Sequence, residues 1–243
     1  MTVQRPDPAA DTAAVHDATA QLLDAVAALS DAALAEPSLL PGWTRGHLLA
    51  HLARNADSLV NLLTWARTGD ETPQYASGEA RDREIEEGAG RPLDAQLADL
   101  RATARRWAEA AEQVPPPAWA AQVAMRSGRV IAAAEIPWRR LVEVRLHHVD
   151  LGIGYTTADL PADFAGRELA LLADGLVGHE GVAAVRLRDT DSGAGWDIGA
   201  ADAPDLTVSG PTRALLCWLS GRGPGDGLTA SPDGPLPVLP PLG

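Results

Sequence analysis

"LLPGWTRGHLLAHLARN", residues 39–55, opens on a Pro-Gly turn, continues through a threonine and then repeats leucine at helical spacing. Pro41-Gly42 marks the turn and Thr44 suits an N-cap, so the pattern predicts a helix that runs to about Arg67 before Gly69 stops it. His47 and His51 stand four residues apart in it, on one face. At 3.6 residues per turn His51 lies about 60° from Leu48 and about 20° from Leu62, on the inward stripe. An imidazole there needs a partner. A lone inward histidine is more often a hydrogen-bonded core residue than a ligand, so the rest of the chain has to decide between packing and chemistry.

Three further helical patterns flank this one. The first runs from about Asp11 to Ala35 with Leu22, Leu23, Val26, Leu29 and Leu34 at helical spacing. Another spans about Leu93 to Gln113 and ends before Pro115-Pro116-Pro117, and the last runs from Pro137, a residue suited to a first helical turn, to Leu151 before Gly152. The polar connection 69–90 (GDETPQYASGEARDREIEEGAG) exceeds a tight turn and reads as a functional loop. The segment 128–137 (GRVIAAAEIP) suits an extended piece. Four helices with polar joints pack most economically as an antiparallel bundle.

After Gly154 the pattern changes. Residues 162–179 read as a helix, "VAAVRLRD" and "DLTVSG" as short strands, and "PTRALLCWLSGR" as a helix begun by Pro211. The tail "GPLPVLPPLG" is Pro-rich and reads as an extended strap or as disorder. The expected fold class is thus α plus α+β: an N-terminal four-helix domain, 1–154, and a smaller C-terminal α+β domain, 155–243.

Composition narrows the function. With 46% hydrophobic but only 4% aromatic residues, the core is built mainly from Ala, Leu and Val. A net charge of −13, with no Arg-rich stretch free of acids, argues against nucleic acid and anionic membranes as partners and leaves small molecules. No apolar run reaches the roughly 18 residues of a membrane span, and the N-terminus lacks a signal-peptide apolar region, so a cytoplasmic protein is expected. All 20 basic residues are Arg, which removes lysine Schiff-base and P-loop chemistry. The single Cys217 excludes an internal disulfide; in an apolar helical run it reads as a small core residue.

The fourth helix, "WRRLVEVRLHHVDLG" (138–152), again carries partners four apart, Glu143 and His147, on a stripe with Asp150. An unpaired carboxylate inside a bundle costs several kcal/mol. A metal satisfies it together with the imidazoles, and one histidine of the second helix with Glu143 and a histidine of the fourth makes a His₂Glu set, the arrangement of catalytic zinc with one position open. The opposing reading pairs Glu143 with an arginine and leaves the histidines as packing. Spacing alone does not choose between His47 and His51, or between His147 and His148.

The stretch "LLPGWTRGHLLAHLARNADSLVNLLTWARTGDETPQYASGEARDREI", with "EVRLHHVDLG" and the later "TVSG" and "GRGPGDG", resembles the mycothiol-dependent maleylpyruvate isomerase family over nearly the whole chain. The resemblance implies a DinB-like metal-binding bundle, a C-terminal domain that closes the active-site cleft, and a divalent metal, usually zinc, on His51, Glu143 and His147. It implies catalytic arginines at Arg222 and Arg81, and leaves His47 either to packing or to a supporting contact behind the ligands. Where the family tends to carry Arg before the ligand glutamate, this chain has Val142, with Arg139 and Arg140 as the nearby cations. The implied reaction is the cis–trans isomerisation of maleylpyruvate to fumarylpyruvate in gentisate degradation, with mycothiol as the nucleophilic cofactor, in a monomer. Two alternatives share the metal: a mycothiol S-transferase that conjugates electrophiles, and a metal-binding bundle without turnover.

Overall fold

A computed structural model of the chain describes residues 5–200 and 204–240. The fold is mostly helical with a small sheet region, in two compact units, one of them Pro6–Tyr155 and the other beginning at Thr156.

The first unit contains α1 (Pro8–Ala27), the single turn α2 (Asp31–Leu34), α3 (Arg45–Thr68), α4 (Gly78–Ala89), α5 (Leu93–Glu112), a hairpin of β1 (Gln122–Ala124) and β2 (Val130–Ala132), and α6 (Ile136–Asp150). The first apolar stripe spans two helices: Ser30 accepts a hydrogen bond from the Ala33 amide and starts α2 afresh. The second helix has the expected ends. Thr44 caps it by accepting from the His47 amide, and Gly69 closes it in the left-handed conformation at φ 81°, where a side chain is strained.

α3 is the centre of this unit. Leu48, Leu49, Leu52, Leu59, Leu62 and Leu63 are buried on a stripe about 140° wide, so truncating one of these leucines costs about 2–5 kcal/mol. α1 turns Val15, Ala18, Leu22 and Val26 inward, and α5 turns Leu97, Leu100 and Trp107.

The connection 69–90 is half helix. Ser77 caps α4 by accepting from the Ala80 amide, but only Ile85 and Gly88 are buried, so its apolar periodicity is too thin to read from sequence. This extra helix changes the bundle. α6 runs antiparallel to α3, but α4 returns the chain so that α5 runs parallel to α3: Gln96 hydrogen-bonds the Gly46 carbonyl oxygen, Asp99 pairs with Arg54, and Arg106 with Asp57, in ascending order along both helices. The all-antiparallel expectation fails because the joint holds a helix of its own.

α4 lies close against the start of α3. A Cβ at Gly46 would collide with the Ala89 carbonyl oxygen, and one at Gly88 would lie 2.7 Å from the Ala50 Cβ.

The second unit has α7 (Ala162–Gly175), then β3 (Val185–Asp189), β4 (Gly195–Ile198), β5 (Leu206–Gly210), α8 (Thr212–Leu219) and β6 (Thr229–Ser231). The sheet order is β4-β3-β5-β6, with β3 and β5 parallel and the other pairs antiparallel. Burial alternates along β3 and β4, with Val185, Leu187, Trp196 and Ile198 inside. β4 and β6 are short and glycine- or turn-flanked, which hid them from the pattern. The Pro-rich tail has no regular secondary structure as far as residue 240; the last three residues lie outside the described ones. No helix among the described residues is long and apolar enough to cross a membrane.

Candidate metal centre

α3 and α6 bring His51, Glu143 and His147 together, and one ligand atom from each lies within 4.8 Å of the others. His51 Nε2 is 2.9 Å from Glu143 Oε2 and 3.1 Å from His147 Nε2, which is 3.2 Å from the same carboxylate oxygen. The four-residue spacing of Glu143 and His147 sets both on one face of α6, one turn apart. The side chains of His51 and His147 are 8% and 13% exposed, and that of Glu143 is 32%, so the cluster is open on the carboxylate side.

The residue behind His147 fixes its proton. Nδ1 lies 2.8 Å from Oδ2 of Asp150, which is buried, and a carboxylate only accepts, so Nδ1 carries the hydrogen. The Nε2 of neutral His147 is then a lone pair aimed at an anionic oxygen and at another imidazole. Three such donors facing one point call for a cation. Their separations, 2.9, 3.1 and 3.2 Å, come within a few tenths of an ångström of the ~3.3 Å edge of a tetrahedron with bonds of ~2.0–2.1 Å. The donor set therefore fits zinc or a similar divalent ion, with Asp150 as the outer carboxylate such histidines use.

Electrostatics agree with the geometry. Burial pushes Glu143 up, but hydrogen bonds from His147 and His51 outweigh it and hold the carboxyl well below the ordinary carboxylate range. Burial pushes His147 down, but the Asp150 and Glu143 carboxylates outweigh it and leave its pKa raised. At His51 burial prevails over Glu143, and the pKa is lowered.

Around the cluster, Trp43 lies 5.5 Å from the His51 ring, centroid to centroid. Arg81, in the first turn of α4, lies 5.9 Å above the Tyr75 ring, ion-pairs with Asp82 at 2.7 Å, and places Nη2 3.4 Å from His51 Nδ1. Tyr75 is half-buried, and burial raises its hydroxyl pKa. A buried tie anchors this loop: Gln74 donates to Ser58 Oγ of α3 and accepts from the Arg126 amide.

His47 has a different task. Its Nδ1 accepts from the Thr44 amide to complete a capping box, and its Nε2 lies 3.1 Å from Glu86 of α4. His148 stacks on Tyr155 at 4.0 Å. Of the nearby cations, Arg139 pairs with Glu135, while Arg140 is buried and donates through Nη1 to the Leu52 carbonyl oxygen and to Asn55 Oδ1. Arg222 belongs to the second unit, in the turn after α8, and donates to the Ser220 carbonyl oxygen. Cys217 is half-buried, and burial pushes its thiol pKa up. Trp43 and Tyr75 escaped the sequence reading, since an aromatic in a turn carries no periodic signal.

A family model described as the mycothiol maleylpyruvate isomerase N-terminal domain matches residues 15–152, and one described as the MDMPI C-terminal domain matches 159–241. The crystal structure of the mycothiol-dependent maleylpyruvate isomerase is similar at 32% identity, covers 97% of each chain and has a TM-score of 0.90. That of a histidine-to-alanine mutant is similar at 31% identity, with the same coverage and TM-score. No curated protein matches significantly.

Proposed function

Because the chain belongs to the mycothiol-dependent maleylpyruvate isomerase family, we propose that it isomerises maleylpyruvate to fumarylpyruvate with mycothiol as cofactor and a divalent metal, zinc by its donor set, on His51, Glu143 and His147. The observation that carries this reading is the convergence of three ligand atoms, from two helices, with Asp150 behind one of them. A divalent metal held by His51, Glu143 and His147 would lower the pKa of a bound thiol and so supply a thiolate at neutral pH; addition of that thiolate to the cis double bond would leave a single bond free to rotate, and its elimination would restore the double bond in the trans form and return the thiol.

The chain's own residues set the conditions. Asp150 keeps the proton of His147 on Nδ1 and so presents Nε2. Trp43 packs beside His51 and narrows the room for its ring to turn. Arg81 offers a fixed positive charge beside the cluster, suited to a substrate carboxylate or to enolate charge developing on the carbonyl oxygen. Arg222, in the turn after α8, is proposed as a further cation of the reaction on the family resemblance alone. Cys217, with its raised pKa, is a poor internal nucleophile, which agrees with a borrowed thiol.

The test is an isomerisation assay with maleylpyruvate, with and without catalytic mycothiol, repeated after chelation and after metal is restored. Activity lost on either omission and regained on restoration is the expected result. Activity indifferent to both overturns the proposal, and stoichiometric consumption of thiol marks an S-transferase instead.

A further inference from the structure

The histidine cluster occupies the α3/α6 side of the bundle. On the other side, between α1 and α5, lies a cavity of about 350 Å³, within the range of small-molecule sites. Its wall is largely apolar, with Val15 and Leu23 of α1 and Trp107 of α5. One polar group in that wall lacks the partner its burial calls for, and a second is a buried charge. Trp107 is 2% exposed, and its indole N–H meets no acceptor among the described residues. Arg140, also 2% exposed, donates through Nη1 to two uncharged oxygens, and the carboxylates that act on its charge, Glu143 and Asp57, make no ion-pair contact with it. Native interiors rarely leave a donor as buried as the Trp107 N–H without an acceptor.

The charge at the mouth is polarised along α5. Arg101 and Arg105 are exposed at one end, at the level where Arg140 meets Leu52 and Asn55 of the parallel α3. Glu109 and Glu112 line the cavity one and two turns further on, so an anionic group is welcome only at the arginine end.

We propose that this cavity binds a small carboxylate with an aromatic or branched apolar body, its charge against Arg140 between the Arg101 and Arg105 guanidinia and its apolar part against Val15 and Trp107. The site shares no lining residue with the histidine cluster, although Glu143 acts electrostatically on Arg140, and it does not depend on the isomerase reading.

Benzoate titrated into the full-length, zinc-loaded protein tests this, with the indole N–H signals followed by nitrogen–proton NMR and that of Trp107 assigned from Trp107→Phe. The expected result is a saturable shift of the Trp107 signal with a Kd on the order of 1 mM, a typical affinity for so small a ligand. Ala104→Phe, which fills the cavity, should abolish the shift while zinc content stays at the wild-type level. The exposed double change Arg101→Glu/Arg105→Glu, which leaves the interior untouched, should weaken binding about ten-fold, and benzyl alcohol should bind at least about ten-fold more weakly than benzoate. The proposal is overturned by the absence of a saturable Trp107 shift, by a shift confined to Trp43 beside the cluster, by benzoate binding unchanged in the double variant, or by equal binding of benzyl alcohol.

Discussion

His147 Nδ1 and Asp150 Oδ2 lie 2.8 Å apart, one turn of α6 from each other, and this contact decides which nitrogen His147 turns toward Glu143 and His51. Asp150→Asn keeps the shape but weakens the hold on the Nδ1 proton. Zinc affinity should fall about 10–100-fold, measured by competition with a chromophoric chelator. An affinity equal to the wild type would remove Asp150 from the site.

Zinc binding should depend on pH in a defined sense. The raised pKa of His147 keeps a proton on the metal-free cluster above the ordinary imidazole value of 6.5, and that proton must leave when metal binds. Glu143, held well below its ordinary range, is already an anion there, and His51, shifted down, is already neutral. The logarithm of the apparent affinity should therefore rise with pH at a slope of about one and level off only above the raised His147 value. A break at or below 6.5 in the affinity profile contradicts this.

Arg81 is a donor without acceptor capacity, and its Nη2 faces His51 Nδ1, the nitrogen that must carry a proton if Nε2 binds metal. Arg81→Gln should leave zinc stoichiometry intact, and affinity equal or tighter, while KM for a dicarboxylate substrate rises about 10- to 100-fold, the loss of one charge-assisted hydrogen bond. Loss of zinc from this variant would make Arg81 a support of the cluster and not a substrate cation.

The position of Arg81 depends in turn on how closely α4 lies against α3. Gly88→Val inserts a branched side chain where even a Cβ would come within 2.7 Å of Ala50. Stability should fall by about 1–3 kcal/mol in urea melts. KM should rise more than kcat falls, because the displaced helix carries the cation and not the cluster. An unchanged KM would uncouple α4 from the substrate.

The histidine-bearing helices were legible in the sequence because they are regular. Thr44 and Gly69 bracket α3 with ordinary cap chemistry, and the four-residue pair on α6 needs only helical geometry to share a face. The choice of His51 over His47 was not legible from spacing: it turns on the capping box that engages His47 and on where α6 crosses α3, a tertiary fact. α4 escaped notice because two buried positions make no stripe, and with it went the parallel course of α5. Tyr75 and Trp43 stand in irregular segments and reach the cluster only through folding of the whole unit.

The residues suited to hold a metal sit on α3 and α6 in the leucine core, whereas Arg81 rides on a thin outer helix kept in place by two glycines and a His47–Glu86 contact. The two parts answer to different mutational pressures. Change in α4 and the preceding loop can alter the surroundings of Arg81 while the interior that carries the three donors is left alone, so the two can vary independently.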